Sequence, residues 1–297
     1  QHHANYERTI QQLNEIFDNT VFGFNSTRGK AFQWLVNRID TRTESMSTFS
    51  QDIGLHDKQR RPPIVRAHLN NQFDSWWNNR KTNSAHVALL GEEGTGKTWA
   101  AMAWLVEKFD KDTDPIILPI TSAQLSGGTG LDSLIIDMLI KRCGKTDKFW
   151  RKRLDGWRRG ERTIKPLFLL YLDGLNEKPK FCWNSLISQA NASDWDGYVT
   201  IFMTSRKDFY KANVAFKALG ITEIETKGYD DDELNQELDR AGIKTPDTIP
   251  NDLRSLIRRP RYCDLALRYF APLLDSGDLT IERLLYQDYK DRVQKKS

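Results

Sequence analysis

What the chain lacks narrows it first. Nowhere in its 297 residues is there a run approaching the roughly 18 uninterrupted apolar residues of a membrane span. The opening stretch QHHANYERTI has none of a secretory signal's apolar segment either. The expectation is a cytoplasmic protein with no membrane partner. Cysteine is scarce, and Cys143, Cys182 and Cys263 are far apart and fit no metal spacing, so they read as reduced thiols without a role. No internal repeat is present, and residues 1–59 pair no carboxylates and lysines at a nuclease's metal-binding spacing. What remains, 39% hydrophobic residues over this length, is enough to bury one large core and a smaller one.

The net charge of +4 is small but unevenly spread. Between Lys141 and Lys165 the cations Lys141, Arg142, Lys145, Lys148, Arg151, Lys152, Arg153, Arg158, Arg159, Arg162 and Lys165 outnumber the acids, interleaved with Phe149, Trp150 and Trp157. Such a mixture suits nucleic acid through phosphate contacts and stacking. It equally suits a solvated helix anchored by its aromatics, or a docking face for another part of a longer protein.

Residues 1–59 carry weak periodicity and a polar stretch, TRTESMSTFSQD, and read as a helical segment followed by a linker. From residue 62, Val65, Leu69, Phe73 and Trp76 recur at helical spacing until the polar KTNSA. Thereafter short apolar runs alternate with helical stretches. The runs are HVALL (86–90), PIILPI (115–120), PLFLLYL (166–172) and YVTIFMT (198–204), with one more strand near TEIETKGY. The helices are 97–109, LDSLIIDMLIKRC and NSLISQA. That alternation predicts an α/β fold, a parallel sheet covered by helices on both faces in three layers. From Asp230 onward every segment is helical (DDELNQELDRAG, PNDLRSLIRR, YCDLALRYFAPLL, TIERLLYQDYKDRVQ). The expected division is an N-terminal segment over 1–59, a P-loop nucleotide domain over 60–229 and a helical lid over 230–297.

The chemistry centres on residues 91–98, Gly91-Glu92-Glu93-Gly94-Thr95-Gly96-Lys97-Thr98, set between a strand and a helix that continues through Trp99. Glycines let the backbone curl so that its N–H groups face phosphate oxygens at the positive end of the helix. Lys97 adds a cation, and the Thr98 hydroxyl suits magnesium. A second carboxylate is needed from a neighbouring strand, and PLFLLYLDGLNE supplies Asp173. Four residues on, Glu177 reads as the base that orients water, or as a plain loop acid, with Asn176 sharing the positioning. YVTIFMTSR ends in Arg206, either a γ-phosphate sensor or a structural ion-pair partner.

Together these residues resemble the STAND class of signalling ATPases, which includes NACHT and NB-ARC domains. The specific clue is a hydrophobic strand running into Asp173-Gly174-Leu175-Asn176-Glu177; Asn176 departs from the acid usual there, which places hydrolysis on Glu177 and implies slow turnover. TSR ending at Arg206 is similar to the family's first sensor. Gly228-Tyr229-Asp230 followed by DDELNQEL resembles the start of its first helical domain. Pro260 looks like the proline packed near base and sugar, though a plain helix-start proline fits equally. Ile64, Val65 and Arg66 stand where such proteins wrap the adenine.

Within that class the wording GEEGTGKTW looks most like bacterial antiviral STAND (Avs) proteins. The resemblance implies ATP/ADP and Mg2+ as ligands and self-oligomerisation on activation. It also implies a viral protein trigger and an effector domain, both carried by other parts of a parent protein. ADP would hold the module closed, and ATP would open it. Two other readings stand beside it. One is an AAA+ ATPase resembling origin-recognition or loader proteins and acting on DNA, supported by the basic stretch and opposed by Gly174 directly after Asp173. The other is a non-hydrolysing nucleotide-binding scaffold, favoured if Glu177 lies far from the phosphates.

Overall fold

A computed structural model describes residues 24–40, 64–80, 86–109, 115–121, 125, 130–159, 166–215, 220–243, 249–275 and 280–294. The polar stretch at 41–52, KTNSA, Arg162 and Lys165 lie outside them. Strands β1 (His86–Leu90), β2 (Ile116–Thr121), β3 (Phe168–Asp173), β4 (Val199–Ser205) and β5 (Ile221–Glu225) form one parallel sheet in the order β2-β3-β4-β1-β5.

Alternation of side chains across each strand divides the apolar residues between two cores. Ala88, Leu90, Ile116, Leu118, Ile120, Phe168, Leu170, Leu172, Ile201 and Met203 face one side. There they meet α1 (Phe24–Asp40), α4 (Leu131–Cys143), α5 (Asp147–Arg159) and α6 (Trp183–Ala190). Val87, Leu89, Ile117, Leu169, Tyr171 and Phe202 face the other, under α2 (Ala67–Asn79) and α3 (Lys97–Lys108). Burial on both faces explains why β1 to β4 read as continuous apolar runs, while β5, at the edge, exposes Thr222, Glu223 and Glu225. On the second face Phe73, Trp76, Trp77, Trp104 and Phe202 pack ring against ring with centroids 5.1–6.4 Å apart, which locks α2 and α3 onto the sheet. The fold is a three-layer α/β arrangement, one parallel sheet between two layers of helices.

Short α7 (Lys207–Asn213) follows β4 and buries Tyr210; the sequence reading leaves it out. α1 places Phe24 and Ala31 in the first core, with Phe24 edge-on to Trp157 at 5.3 Å. α5 buries Trp150, Leu154 and Trp157, spaced at i, i+4 and i+7, and turns Lys148, Arg151 and Lys152 outward. Its tryptophans are at most 4% exposed, so they are unavailable for stacking on bases.

Beyond β5 come α8 (Asp231–Arg240), α9 (Asn251–Ile257), α10 (Pro260–Asp275) and α11 (Ile281–Gln294), whose apolar faces share a third core built on Leu234, Leu238, Leu253, Ile257, Cys263 and Leu284. Asp230 starts α8 with a reciprocal capping box: its side chain accepts from the Glu233 N–H, and the Glu233 carboxylate accepts from the Asp230 N–H.

Candidate functional site

The sheet order makes β3, β4 and β1 neighbours, so their carboxyl ends bring Asp173, Arg206 and the loop from Gly91 into one row. The loop's shape is set by its glycines. Gly96 has φ 82°, in the left-handed region, at the N-terminal cap of α3, and a Cβ there would stand 3.1 Å from the Pro260 ring. Arg66, the cap residue of α2, donates to the Thr95 carbonyl at 3.0 Å and braces the loop from outside.

Lys97 and Thr98 open α3. The Lys97 ammonium donates to the carbonyls of Gly91 at 2.8 Å and Glu92 at 2.7 Å, across the concave side of the loop. Burial pulls its pKa down to about 8, with Arg206 adding to the shift and Asp173, Glu92 and Glu93 opposing it. Thr98 donates to both carboxylate oxygens of Asp173 at 3.0 Å. The same carboxylate accepts from the Tyr171 hydroxyl at 2.7 Å and the Thr204 hydroxyl at 2.6 Å. Burial pushes the Asp173 carboxyl up from the ordinary carboxylate range, against those three hydroxyl bonds and the nearby Lys97. Tyr171, buried beside that carboxylate, is held well above the usual phenol range.

Gly174, at φ 68°, turns the chain directly after Asp173 into a 3-10 turn, Leu175–Glu177, that folds Glu177 back. The positive φ is what favours glycine at this turn; a Cβ there would lie 2.8 Å from the Glu177 carboxyl carbon, the movable end of that side chain. Asn176 accepts from the Arg206 backbone N–H at 3.1 Å, which fixes the start of α7. The Arg206 guanidinium reaches the loop, pairing with Glu93 at 2.6 Å.

Of the residues expected around the base, Ile64 is buried and Val65 is 59% exposed. Arg66 is buried and held by protein alone: Thr95, Thr226 at 2.8 Å, the Gly228 carbonyl and the Glu233 carboxylate at 3.3 Å. His68 adds a 3.2 Å contact to Glu233. Pro260 begins α10 and contacts Gly96, which brings a lid helix onto the phosphate loop. Trp99 is half-buried in the first turn of α3.

Sequence reading missed Tyr171, which donates to Asp173, and Arg261. The Arg261 backbone N–H donates to the Gly94 carbonyl at 3.2 Å and its guanidinium pairs with Glu93 at 2.7 Å. In a run reading Arg258-Arg259-Pro260-Arg261, nothing in spacing or composition singles it out.

The glycine-rich turn at the start of α3, with the Lys97 ammonium across it, suits a polyphosphate, and the Thr98 hydroxyl beside the buried Asp173 carboxylate suits a divalent cation. Among the described residues no helix is long and apolar enough to cross a membrane. No protein-family model matches the chain, and no curated protein matches its sequence. Among solved structures it is similar to Drosophila ORC bound to DNA, at 12% identity and TM-score 0.48, over 84% of this chain and 65% of that one. It is also similar to the Cdc6 protein of Pyrobaculum aerophilum, at 18% identity and TM-score 0.48 over 82% of this chain and 70% of that one. A Walker-type ATPase of Pyrococcus abyssi matches at 15% and 0.42, over 80% of this chain and 79% of that one. Likeness at this level leaves the chemistry of the site to its own geometry.

Proposed function

We propose that the chain is an ATP-binding and ATP-hydrolysing switch in which nucleotide state governs how the helices beyond residue 229 seat on the phosphate loop. The observation that carries the reading is the convergence of Lys97, Thr98 and Asp173 at the carboxyl edge of the sheet. In this reading the backbone from Gly91 to Gly96 and the Lys97 ammonium hold the phosphates, and Thr98 and Asp173 hold magnesium. The bound ion would neutralise charge on the phosphate oxygens. Glu177 takes a proton from the attacking water, and Arg206 answers charge on the terminal phosphate. Ile64, Val65 and Pro260 flank the base, while Arg66 acts behind the loop. Pro260 and Arg261 carry the nucleotide state into the lid, because they touch the loop at Gly96 and Gly94.

The finer reading is a STAND-type module of antiviral defence signalling in the cytoplasm, in which ATP-bound subunits assemble with one another. A viral protein trigger and an effector domain would belong to a longer parent protein. The support is the Asp173-Gly174-Leu175-Asn176-Glu177 turn, in which Gly174 takes a positive φ directly after Asp173 and leads into the 3-10 turn that carries Glu177. A second reading, a DNA-handling AAA+ ATPase, is favoured by the outward cations of α5.

The test is magnesium-dependent ATP binding and turnover on the purified chain with and without duplex DNA, together with its mass in solution with a non-hydrolysable ATP analogue. Slow, DNA-independent turnover and a nucleotide-dependent mass support the switch. Strong stimulation by DNA supports the second reading, and absence of nucleotide binding removes both.

A further inference from the structure

Two carboxylates occupy the middle of a loop shaped to receive polyphosphate, Glu92 and Glu93. Negative charge there opposes an incoming phosphate, and solvent screening weakens the repulsion without removing it. Glu93 has partners of its own. One carboxylate oxygen takes the Arg206 guanidinium at 2.6 Å and the other takes Arg261 at 2.7 Å. Arg206 follows β4 and Arg261 stands in the first turn of α10, so a single side chain joins sheet, loop and lid. The Arg261 backbone is held independently, through its N–H on the Gly94 carbonyl. A phosphate offers a guanidinium what a carboxylate does, paired anionic oxygens for forked N–H donors, with more charge.

We propose that the Glu93 carboxylate is a built-in competitor for the terminal phosphate of the nucleotide: it holds Arg206 and Arg261 together, and a third phosphate draws them off it. Glu93 is then a specificity-determining residue that sets the triphosphate-to-diphosphate ratio and biases it toward the diphosphate. The inference rests on the reading of this loop as a nucleotide site. The pairs are solvent-accessible, with Glu93 57% and Arg206 52% exposed, so each is worth little in water and the gate is shallow. Simple repulsion by a carboxylate would act whether or not the two arginines are present, whereas competition for them disappears when they are removed.

Calorimetric titration of the full chain with ADP and with a non-hydrolysable ATP analogue, magnesium present, separates these cases. Glu93→Gln is expected to tighten the triphosphate roughly three- to tenfold while ADP changes less than about twofold. The gain should shrink in the Arg261→Gln background and vanish in Arg206→Gln/Arg261→Gln, which neither simple repulsion nor a purely structural role for Glu93 would produce. Equal gains for both nucleotides, an unchanged ratio, or a gain that survives loss of both arginines overturns the proposal. A wild-type chain that binds neither nucleotide overturns the nucleotide-site reading itself and the proposal with it.

Discussion

The Thr98 hydroxyl donates to both carboxylate oxygens of Asp173, tying the first turn of α3 to the end of β3 across 75 positions of sequence. With Tyr171 and Thr204 it gives one buried carboxylate three hydroxyl donors. Asp173→Asn keeps the size but offers a single acceptor oxygen, so the fold should lose about 1–3 kcal/mol. Turnover should fall about 100-fold or more, and nucleotide binding should cease to depend on magnesium. Denaturant unfolding and a magnesium titration check the two halves. Undiminished turnover would move the metal site elsewhere.

Lys97 makes nucleotide affinity depend on pH. In the free site its pKa is about 8, below the ordinary lysine value, and phosphate anions favour the protonated form. Below pH 8 the ammonium is already present. Above it, binding must take up a proton, so affinity falls as pH rises, approaching about tenfold per unit. Calorimetry at pH 9 in buffers of different ionisation enthalpy should register that uptake. Lys97→Ala should weaken binding at least roughly 30-fold and abolish the dependence. A flat profile in the wild type would mean that Lys97 does not meet the phosphates.

The strands and the phosphate loop were legible because their signals are local: apolar runs of five to seven residues and one contiguous glycine-rich turn. For α5 the interleaved aromatics left two readings open, and the burial of Trp150, Leu154 and Trp157 in the core settled which face they take. The contacts that close the site were not legible. Arg261 meets Glu93 across 168 positions, and Arg66 meets Glu233 across 167. Each is one arginine among many, chosen by tertiary packing alone. Arg66 shows the consequence: the sequence resemblance set it beside the adenine, whereas its burial against Thr95, Thr226, Gly228 and Glu233 came only from the folded arrangement.

Arg66 should therefore matter to stability more than to nucleotide contact. Arg66→Met leaves Glu233 buried without its guanidinium and strips donors from Thr95, Thr226 and Gly228. The expected loss is about 3–5 kcal/mol in urea unfolding. Arg66→Lys should recover little of it, because an ammonium cannot reproduce the fork. A loss below about 1 kcal/mol would show that the network does not hold the lid to the loop.

α5 separates its two readings by face. Trp157→Ala should cost about 3–5 kcal/mol, as expected for an aromatic anchor in the core. Lys148→Glu with Lys152→Glu, both outward, should leave stability within about 0.5 kcal/mol. If the chain binds duplex DNA through this face, the paired reversal should reduce the salt dependence of binding by about two counterions. DNA binding with an unchanged salt slope would exclude the face as its site.

Glu177 is the sharpest test of hydrolysis, since Gly174 lets it fold back beside Asp173 while Asn176 is committed to the Arg206 backbone. Glu177→Gln retains the shape and removes the base. ATP binding should stay within about twofold of wild type while turnover falls roughly 100- to 10,000-fold. Asn176→Ala should act through Arg206 instead, releasing the N–H that fixes the start of α7, and should lower turnover less than Glu177→Gln does. Single-turnover assays with saturating enzyme separate binding from the chemical step. Equal turnover in Glu177→Gln and wild type would move the base to another residue, whereas ATP binding with no turnover in either would assign the chain to the non-hydrolysing scaffolds, in which nucleotide exchange rather than cleavage resets the lid.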